Sequence, residues 1–300
     1  MYDLSNYKKV KMIKMKKLSF KNLFISTFIA GIILATPACW QRYNIHKVKD
    51  LHLLEQEIPA LDEHSLVIFD IDETLIEAEN LFCSNVNKKA KSIWYPLYEK
   101  ARKEISSRDK QRILWRRAAM ALESTLIDVK VLQLIEQIKK QKTKVCALTK
   151  CSTGKREEQK SLEESRFDDL KKLGIDFRTS FPEHELFTLS ELVTEDSVPM
   201  FYKGILLTAH STKGKTLTAF LNTIHWWPKR IIFVDDKIEN LEDVALVAKE
   251  KNIPFLGLHY LAAEDMPCDV DPKVAAFQID YLMEHEQWIN EDEAKEEMIK

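Results

Sequence analysis

The chain has 300 residues, with 45 basic against 47 acidic side chains and a formal net charge of −2 at pH 7. At 45% apolar and 31% charged it is neither disordered nor collagen-like, and it is long enough for one large domain carrying an insert. The near-neutral balance gives no nucleic-acid footprint, and six glycines and nine prolines leave room for mostly regular structure.

The charge is unevenly spread. Residues 1–38 hold seven lysines (8, 9, 11, 14, 16, 17 and 21) and one acid, Asp3, so the rest of the chain is acidic. Residues 22–41 carry no charge, and within them an apolar run from Leu23 to Ala35 is followed by Thr36-Pro37-Ala38. Basic stretch, apolar run and small-residue exit form the layout of a secretory signal peptide cleaved after Ala38. Met12 or Met15 would make a more usual start. An uncleaved anchor is the competing reading, although the run falls short of the roughly 20 residues that span a bilayer. The chain is therefore expected to be exported, periplasmic or secreted, and to touch a membrane only through residues 1–38 if they are retained. Cys39 invites a lipoprotein reading, against which stands Thr36 in place of the usual leucine. Cys39, Cys83, Cys146, Cys151 and Cys268 show no metal-type spacing, and Cys146 is expected as a small core residue within a strand.

Beyond the leader, three apolar runs share one design. Leu66-Val67-Ile68-Phe69 ends in Asp70, Val145-Cys146-Ala147-Leu148 ends in Thr149, and Ile231-Ile232-Phe233-Val234 ends in Asp235. Unalternating runs of this length predict strands buried on both faces of a parallel sheet. Helices are expected over 129–141, 157–173, 213–224 and 240–251, with a terminal helix over 274–288. A further buried strand is expected over 255–258, and a strand over 202–208. The alternation predicts an α/β layered fold. In such sheets ligands bind outside the carboxyl ends of the strands, where all three runs deliver a polar residue.

Residues 80–125 separate the first run from the second by far more than one crossover helix needs, and they read as helical. The simplest account is a helical lid, which assigns 79–126 to a cap and 39–78 with 127–300 to the core. Its basic residues Arg108, Lys110, Arg112, Arg116 and Arg117 suit either an anionic substrate or, more simply, a solvated helix face. Trp226-Trp227 is expected to pack beside the last motif strand, with stacking on a substrate ring as the alternative.

The strand ends carry the chemistry. In Asp70-Ile71-Asp72-Glu73-Thr74, two carboxylates two residues apart can address one substrate atom, one as a nucleophile and one giving and taking a proton. Asp235-Asp236 closes a carboxylate cluster that calls for a cation, and few, open, hard oxygen ligands suit Mg²⁺. Thr149 offers a hydroxyl to phosphate oxygens. Lys213, at a helix start in Lys213-Gly214-Lys215, offers positive charge and is preferred over Lys203 and Lys215 because Gly214 permits close approach.

The order of these pieces resembles the haloacid dehalogenase (HAD) superfamily: FDIDETL at 69–75, VCALTK at 145–150, TKGKTL at 212–217 and IIFVDDKIENL at 231–241. The resemblance implies a Rossmann-like core with a C1-type helical cap, Mg²⁺ dependence and an aspartyl-phosphate intermediate. It implies Asp70 as nucleophile and metal ligand. It makes Asp72 the general acid/base, with its backbone carbonyl on the metal. Thr149 and Lys213 would bind phosphate, and Asp235 and Asp236 the metal. Asp72 also points to phosphatases and phosphotransferases rather than dehalogenases. With its leader, the chain is similar to a secreted bacterial branch of the superfamily, while the fourth-motif spacing departs from that of the secreted acid phosphatases. The function so implied is hydrolysis of a phosphorylated small molecule.

Two rivals bear on this reading. A signalling receiver domain places its acidic pair before the acceptor aspartate, the reverse of the order here. A binding or host-interaction protein on a HAD scaffold would have no need to keep every catalytic residue type, and all are present.

Overall fold

The computed structural model describes residues 43–82, 84–154 and 160–300. The leader expected over 1–38, together with Cys39 and Cys83, lies outside the described residues.

The chain enters through an edge strand, β1 (Tyr43–Val48), and a short helix, α1 (His52–Glu57). The first apolar run is β2 (Ser65–Phe69), and a short β3 (Ile76–Ala78) follows the turn after it. The insert then supplies α2 (Lys88–Glu104) and α3 (Arg108–Ala121) and returns through β4 (Ser124–Leu126). Next come α4 (Lys130–Lys140), β5 (Lys144–Thr149) and α5 (Leu162–Lys172). Three short strands follow, β6 (Leu186–Thr188), β7 (Met200–Tyr202) and β8 (Ile205–Leu207). The chain finishes with α6 (Lys213–Thr223), β9 (Arg230–Asp235), α7 (Ile238–Glu250), β10 (Phe255–Tyr260), α8 (Pro272–His285) and α9 (Glu291–Glu297).

The sheet order is β1-β10-β9-β2-β5-β8-β7-β6. Every pairing from β1 to β8 is parallel, and the last two are antiparallel. This is an α/β protein with a mostly parallel sheet flanked by helices, an arrangement compatible with a Rossmann-like fold. The unalternating runs mean what they were expected to mean. Val67 and Phe69 of β2 point to one core with Leu134, Ile138 and Phe167, whereas Leu66 and Ile68 point to the other with Leu217, Phe220 and Leu241. Cys146 is fully buried in β5. After β2 the chain extends the sheet to one side through β5 and β8, then crosses through α6 to β9 on the other side. The carboxyl end of β2 is therefore the topological switch point, where open α/β sheets form their crevice.

Several expectations are corrected. The strand expected over 202–208 is a hairpin. Lys203 and Gly204 both take positive φ, 49° and 89°, and turn β7 back antiparallel onto β8. A Cβ at Gly204 would lie 2.5 Å from Phe177 Cβ, so only glycine fits. The insert is not all helix, because β3 and β4 pair antiparallel and tie its two ends together. The helix expected over 157–173 is described as Leu162–Lys172, with the Ser161 hydroxyl accepting from the Glu164 amide at its start. The terminal helix stops at His285, where Glu286 turns left-handed at φ 55°, and α9 follows behind an Asn290–Glu293 capping box.

The insert does not pack alone. Leu81, Trp94, Ala101, Leu114 and Ala118 share one apolar cluster with Ala275, Ile279, Leu282 and Trp288 of the carboxyl-terminal region. Asn87 Nδ2 donates to the Met266 carbonyl at 2.9 Å, and Lys110 Nζ meets Glu286 at 2.8 Å. The insert thus packs directly on the carboxyl-terminal region. Leu282→Ala, which opens a cavity in that shared cluster, is expected to cost about 2–5 kcal/mol. Limited proteolysis should then cut within α2–α3 and α8 together, while the sheet segments stay resistant.

Candidate active site

Three strand ends converge at the switch point. Asp70 follows β2, and its amide donates to the Val234 carbonyl at 2.9 Å, which locks it beside the end of β9. Asp235 ends β9, and Asp236 follows it. Carboxylate oxygens of Asp70, Asp235 and Asp236 lie within 4.8 Å of one another, and all three residues are buried. Lys213 reaches the cluster from the first turn of α6, with its Nζ 2.6 Å from Asp70 Oδ1 and 2.6 Å from Asp235 Oδ2. The Thr212 side chain caps α6 by accepting from the Lys215 amide. Gly214 lets the helix start sit against α7: its amide donates to Asp243 Oδ2 at 2.5 Å, and a Cβ there would lie 2.8 Å from the Asp243 carbonyl oxygen. Of the rival lysines, Lys203 pairs with Glu185 at 3.7 Å, and Lys215 is exposed.

The three carboxylates differ in what already holds them. Asp235 is fully engaged: Oδ2 accepts from Lys213, and Oδ1 accepts from the Lys237 amide at 2.8 Å and Asn240 Nδ2 at 2.9 Å. The Asp236 backbone is pinned, with its amide donating to Thr74 Oγ1 at 3.1 Å and its carbonyl 2.8 Å from His259 Nε2. Its carboxylate oxygens are buried without a hydrogen bond, facing only the Lys237 ammonium at 3.3 Å.

The electrostatics follow. Burial pushes the Asp236 carboxyl up to about 8, with the Asp70 charge adding to it. Burial also raises Asp70, more than the Lys213 charge opposes. Lys213 is held above its ordinary value because Asp70 and Asp235 together outweigh the effect of its own burial. Three carboxylates against one fully buried lysine leave excess negative charge in a dry place. Two Asp236 oxygens without hydrogen bonds, beside Asp70 oxygens, are the donor set a hard divalent cation takes, so Mg²⁺ fits the residues present.

The other expected residues are spread around this centre. Thr149 is buried at the end of β5, and its carbonyl accepts from the Thr208 amide at 3.0 Å. The Asp72 carboxylate is not part of the carboxylate cluster. It is about half exposed and pairs with Arg166 Nη2 of α5 at 2.8 Å. The Arg166 guanidinium is driven above its ordinary value, chiefly by Asp72.

The sequence reading missed several residues here. Arg166 carries no motif and reaches Asp72 only through the fold. Glu73 takes a left-handed φ of 61°, and it accepts from the Asn85 amide and meets Lys237 Nζ at 3.3 Å. Thr208 ends β8 with a buried hydroxyl that makes no hydrogen bond among the described residues. Of these only Glu73 and Lys237, each adjacent to a motif acid, had a signal in the sequence.

The basic face of α3 lies elsewhere: Lys110 and Arg117 pair with Glu286, and Arg112 with Asp109. Trp226 and Trp227 precede β9 and so sit at the end of the sheet opposite the carboxylates. Lys144 lies 5.4 Å from the first ring and Lys251 lies 4.8 Å from the second. They pack against the core, and the ring-stacking alternative is not met.

Comparison with known proteins supplies the family. Residues 47–295 match the family described as "Protein of unknown function (DUF2608)", and the chain belongs to it. It is 26% identical over 260 residues to an uncharacterized protein of Rickettsia prowazekii (strain Madrid E), covering 86% of this chain and 90% of that one. It is 24% identical over 260 residues to a Chlamydia trachomatis serovar D protein named "Putative outer membrane protein", covering 85% and 91%. A Chlamydia muridarum protein of the same name is 25% identical over 268 residues, covering 87% and 94%. No solved structure gives a significant match. Among the described residues, no helix is long and apolar enough to cross a membrane.

The strain at Asp236 has a sign. An acid raised in the folded state favours folding most at low pH, below the ordinary carboxylate range. That contribution is lost as pH climbs from about 4 toward about 8, at up to about 1.4 kcal/mol per pH unit. In chelator-treated protein, Asp236→Asn is expected to raise the melting temperature at pH 8 and to flatten its decline between pH 5 and 8. Any stabilisation of the unmodified chain by millimolar Mg²⁺ should be lost in the same variant.

Proposed function

We propose that this protein is a Mg²⁺-dependent phosphomonoester hydrolase of the HAD type, with Asp70 as nucleophile and Asp72 as general acid/base. The observation that carries the reading is the buried Asp70–Asp235–Asp236 cluster on Lys213, at the carboxyl end of β2. The order of the four sequence motifs supports it, and α2 and α3 correspond in position to a C1-type cap on a HAD core.

In this reading Asp70, Asp235 and Asp236 would hold Mg²⁺, joined by the Asp72 backbone carbonyl that the family resemblance implies. When bound, the ion offsets phosphate charge and fixes the phosphoryl group for in-line attack. The chain does the rest. An Asp70 carboxylate oxygen bonds to phosphorus as the ester P–O bond breaks, and Asp72 gives its proton to the departing oxygen. A water oxygen then bonds to phosphorus while Asp72 takes the water proton. The Asp70–phosphorus bond breaks, releasing inorganic phosphate and restoring Asp70. Lys213 and Thr149 stabilise the phosphate oxygens through both steps. Arg166 is a positioning residue that holds the Asp72 carboxylate at 2.8 Å.

The proposal extends to export through residues 1–38. The layout of that segment supports it, and so do the names of the two chlamydial relatives.

The deciding assay is hydrolysis of an aryl phosphate by the full-length chain, with Mg²⁺ and with EDTA. Activity is expected only with Mg²⁺, and Asp70→Asn is expected to lower kcat at least about a thousandfold while the far-UV circular dichroism stays unchanged. Full activity in that variant would sink the mechanism. Arg166→Gln is expected to reduce kcat roughly ten- to hundredfold with a smaller effect on KM, since misplacing an acid/base by about 1 Å costs that much. An equal effect on kcat and KM, or none, would remove Arg166 from the positioning role.

A further inference from the structure

A cavity of about 590 Å³ opens between the insert and the turn after β2. From the sheet side it is lined by Asp72, Arg166 and Lys237, and from the insert by Phe82, Trp94, Tyr98 and Trp115. Its volume lies in the range of small-molecule sites. The aromatic wall is ordered: the Tyr98 and Trp115 rings lie 4.6 Å apart, and the Phe82 and Trp94 rings meet edge to face at 5.1 Å.

Two polar atoms on residues lining this cavity are buried and make no hydrogen bond among the described residues. One is Glu77 Oε2, an acceptor, and the other is Trp115 Nε1, a donor. Glu77 is 7% exposed, and its other oxygen is occupied by the Ala78 amide at 3.0 Å. Buried donors and acceptors are almost always paired, so a wall that keeps one of each unpaired asks for a ligand that carries the complements. Burial lifts Glu77 to about 7, against the opposing pull of the Ala78 amide and the Ser84 hydroxyl.

We propose that this cavity receives the leaving group of the phosphomonoester, and that the leaving group carries a nucleobase-type ring. The ring would stack on the aromatic wall, donate an N–H to Glu77 and accept from Trp115 Nε1. The inference rests on the phosphatase reading for the phosphate end of the ligand, while the ring end rests on the cavity alone. Stacking supplies affinity that any flat ring shares. The donor and acceptor supply discrimination, because a site built for hydrogen bonds rejects a ring that cannot make them.

The test separates these contributions. The full-length Asp70→Asn chain with Mg²⁺ is titrated by calorimetry with four probes: guanosine 5′-monophosphate, cytidine 5′-monophosphate, phenyl phosphate and glycerol 3-phosphate. At least one nucleotide is expected to bind ten or more times tighter than phenyl phosphate, and phenyl phosphate tighter than glycerol 3-phosphate. Adding Trp115→Phe, which keeps the ring and removes the N–H, is expected to weaken that nucleotide at least fivefold and to leave phenyl phosphate within twofold. Glu77→Gln should do the same. Nucleotides that bind no tighter than phenyl phosphate would overturn the inference. So would a Trp115→Phe loss that is equal for nucleotide and phenyl phosphate. Hydrolysis by the unmodified chain is read separately. Ring-blind turnover would overturn this inference and leave the phosphatase, whereas ring-selective binding without turnover would remove the phosphatase and support the cavity assignment.

Discussion

One buried ammonium among three buried carboxylates is the constraint around which the sheet end is arranged. Lys213 is fully buried between Asp70 and Asp235 at 2.6 Å from each, and Asp236 stands beside them with oxygens that make no hydrogen bond among the described residues and face the Lys237 ammonium at 3.3 Å. Such charge is tolerable in a dry interior only where fixed dipoles and counter-charges surround it. The neighbouring residues supply them. The Lys237 amide and the Asn240 side chain at the start of α7 hold Asp235, while the Thr74 and His259 side chains hold the Asp236 main chain. These groups come from several elements, so β2, β9, α7, β10 and the turn after β2 have to be in register for the cluster to exist. Precise placement and residual negative charge are both properties of a cation site.

The same arrangement explains how much of the molecule could be read from its residues. Strands β2, β5 and β9 are legible because a strand buried on both faces must be apolar at every position, and each ends in the polar residue that the crevice needs. Lys213 is legible because a capping threonine and a glycine frame it. Strand β1 is not, because an edge strand half in solvent needs no apolar run, and YNIHKV has none. The β7–β8 hairpin sits in an apolar stretch broken only by Lys203-Gly204, and it depends on the positive φ angles of those two residues. Arg166 and the aromatic wall are invisible for another reason. Their partners are distant in sequence, and a single arginine or tryptophan on a helix carries no period that names its neighbour.

The insert takes its meaning from what it rests on. Lys110 and Arg117 of α3 reach Glu286 and so clamp the insert to the carboxyl-terminal region, while Arg112 pairs with Asp109 within the helix. To the crevice the insert offers an aromatic wall of Phe82, Trp94, Tyr98 and Trp115, with Lys91 and Asn85 beside it. The charged groups at the sheet end and the aromatic wall under the insert thereby come from separate residues, with Asp72 and Arg166 at the seam between them.

The shared cluster of the insert and the last helices also orders events in time. Trp94 and Leu114 are made early, but the surface that buries them belongs to α8, which begins at Pro272. During vectorial synthesis, or threading across a membrane, β5 can pair with β2 as it emerges, β1 has to wait for β10, and the roof over the crevice waits longer still, for α8. A polypeptide cut short before α8 would leave Trp94 and Leu114 without the surface that buries them, exposed to any passing apolar surface.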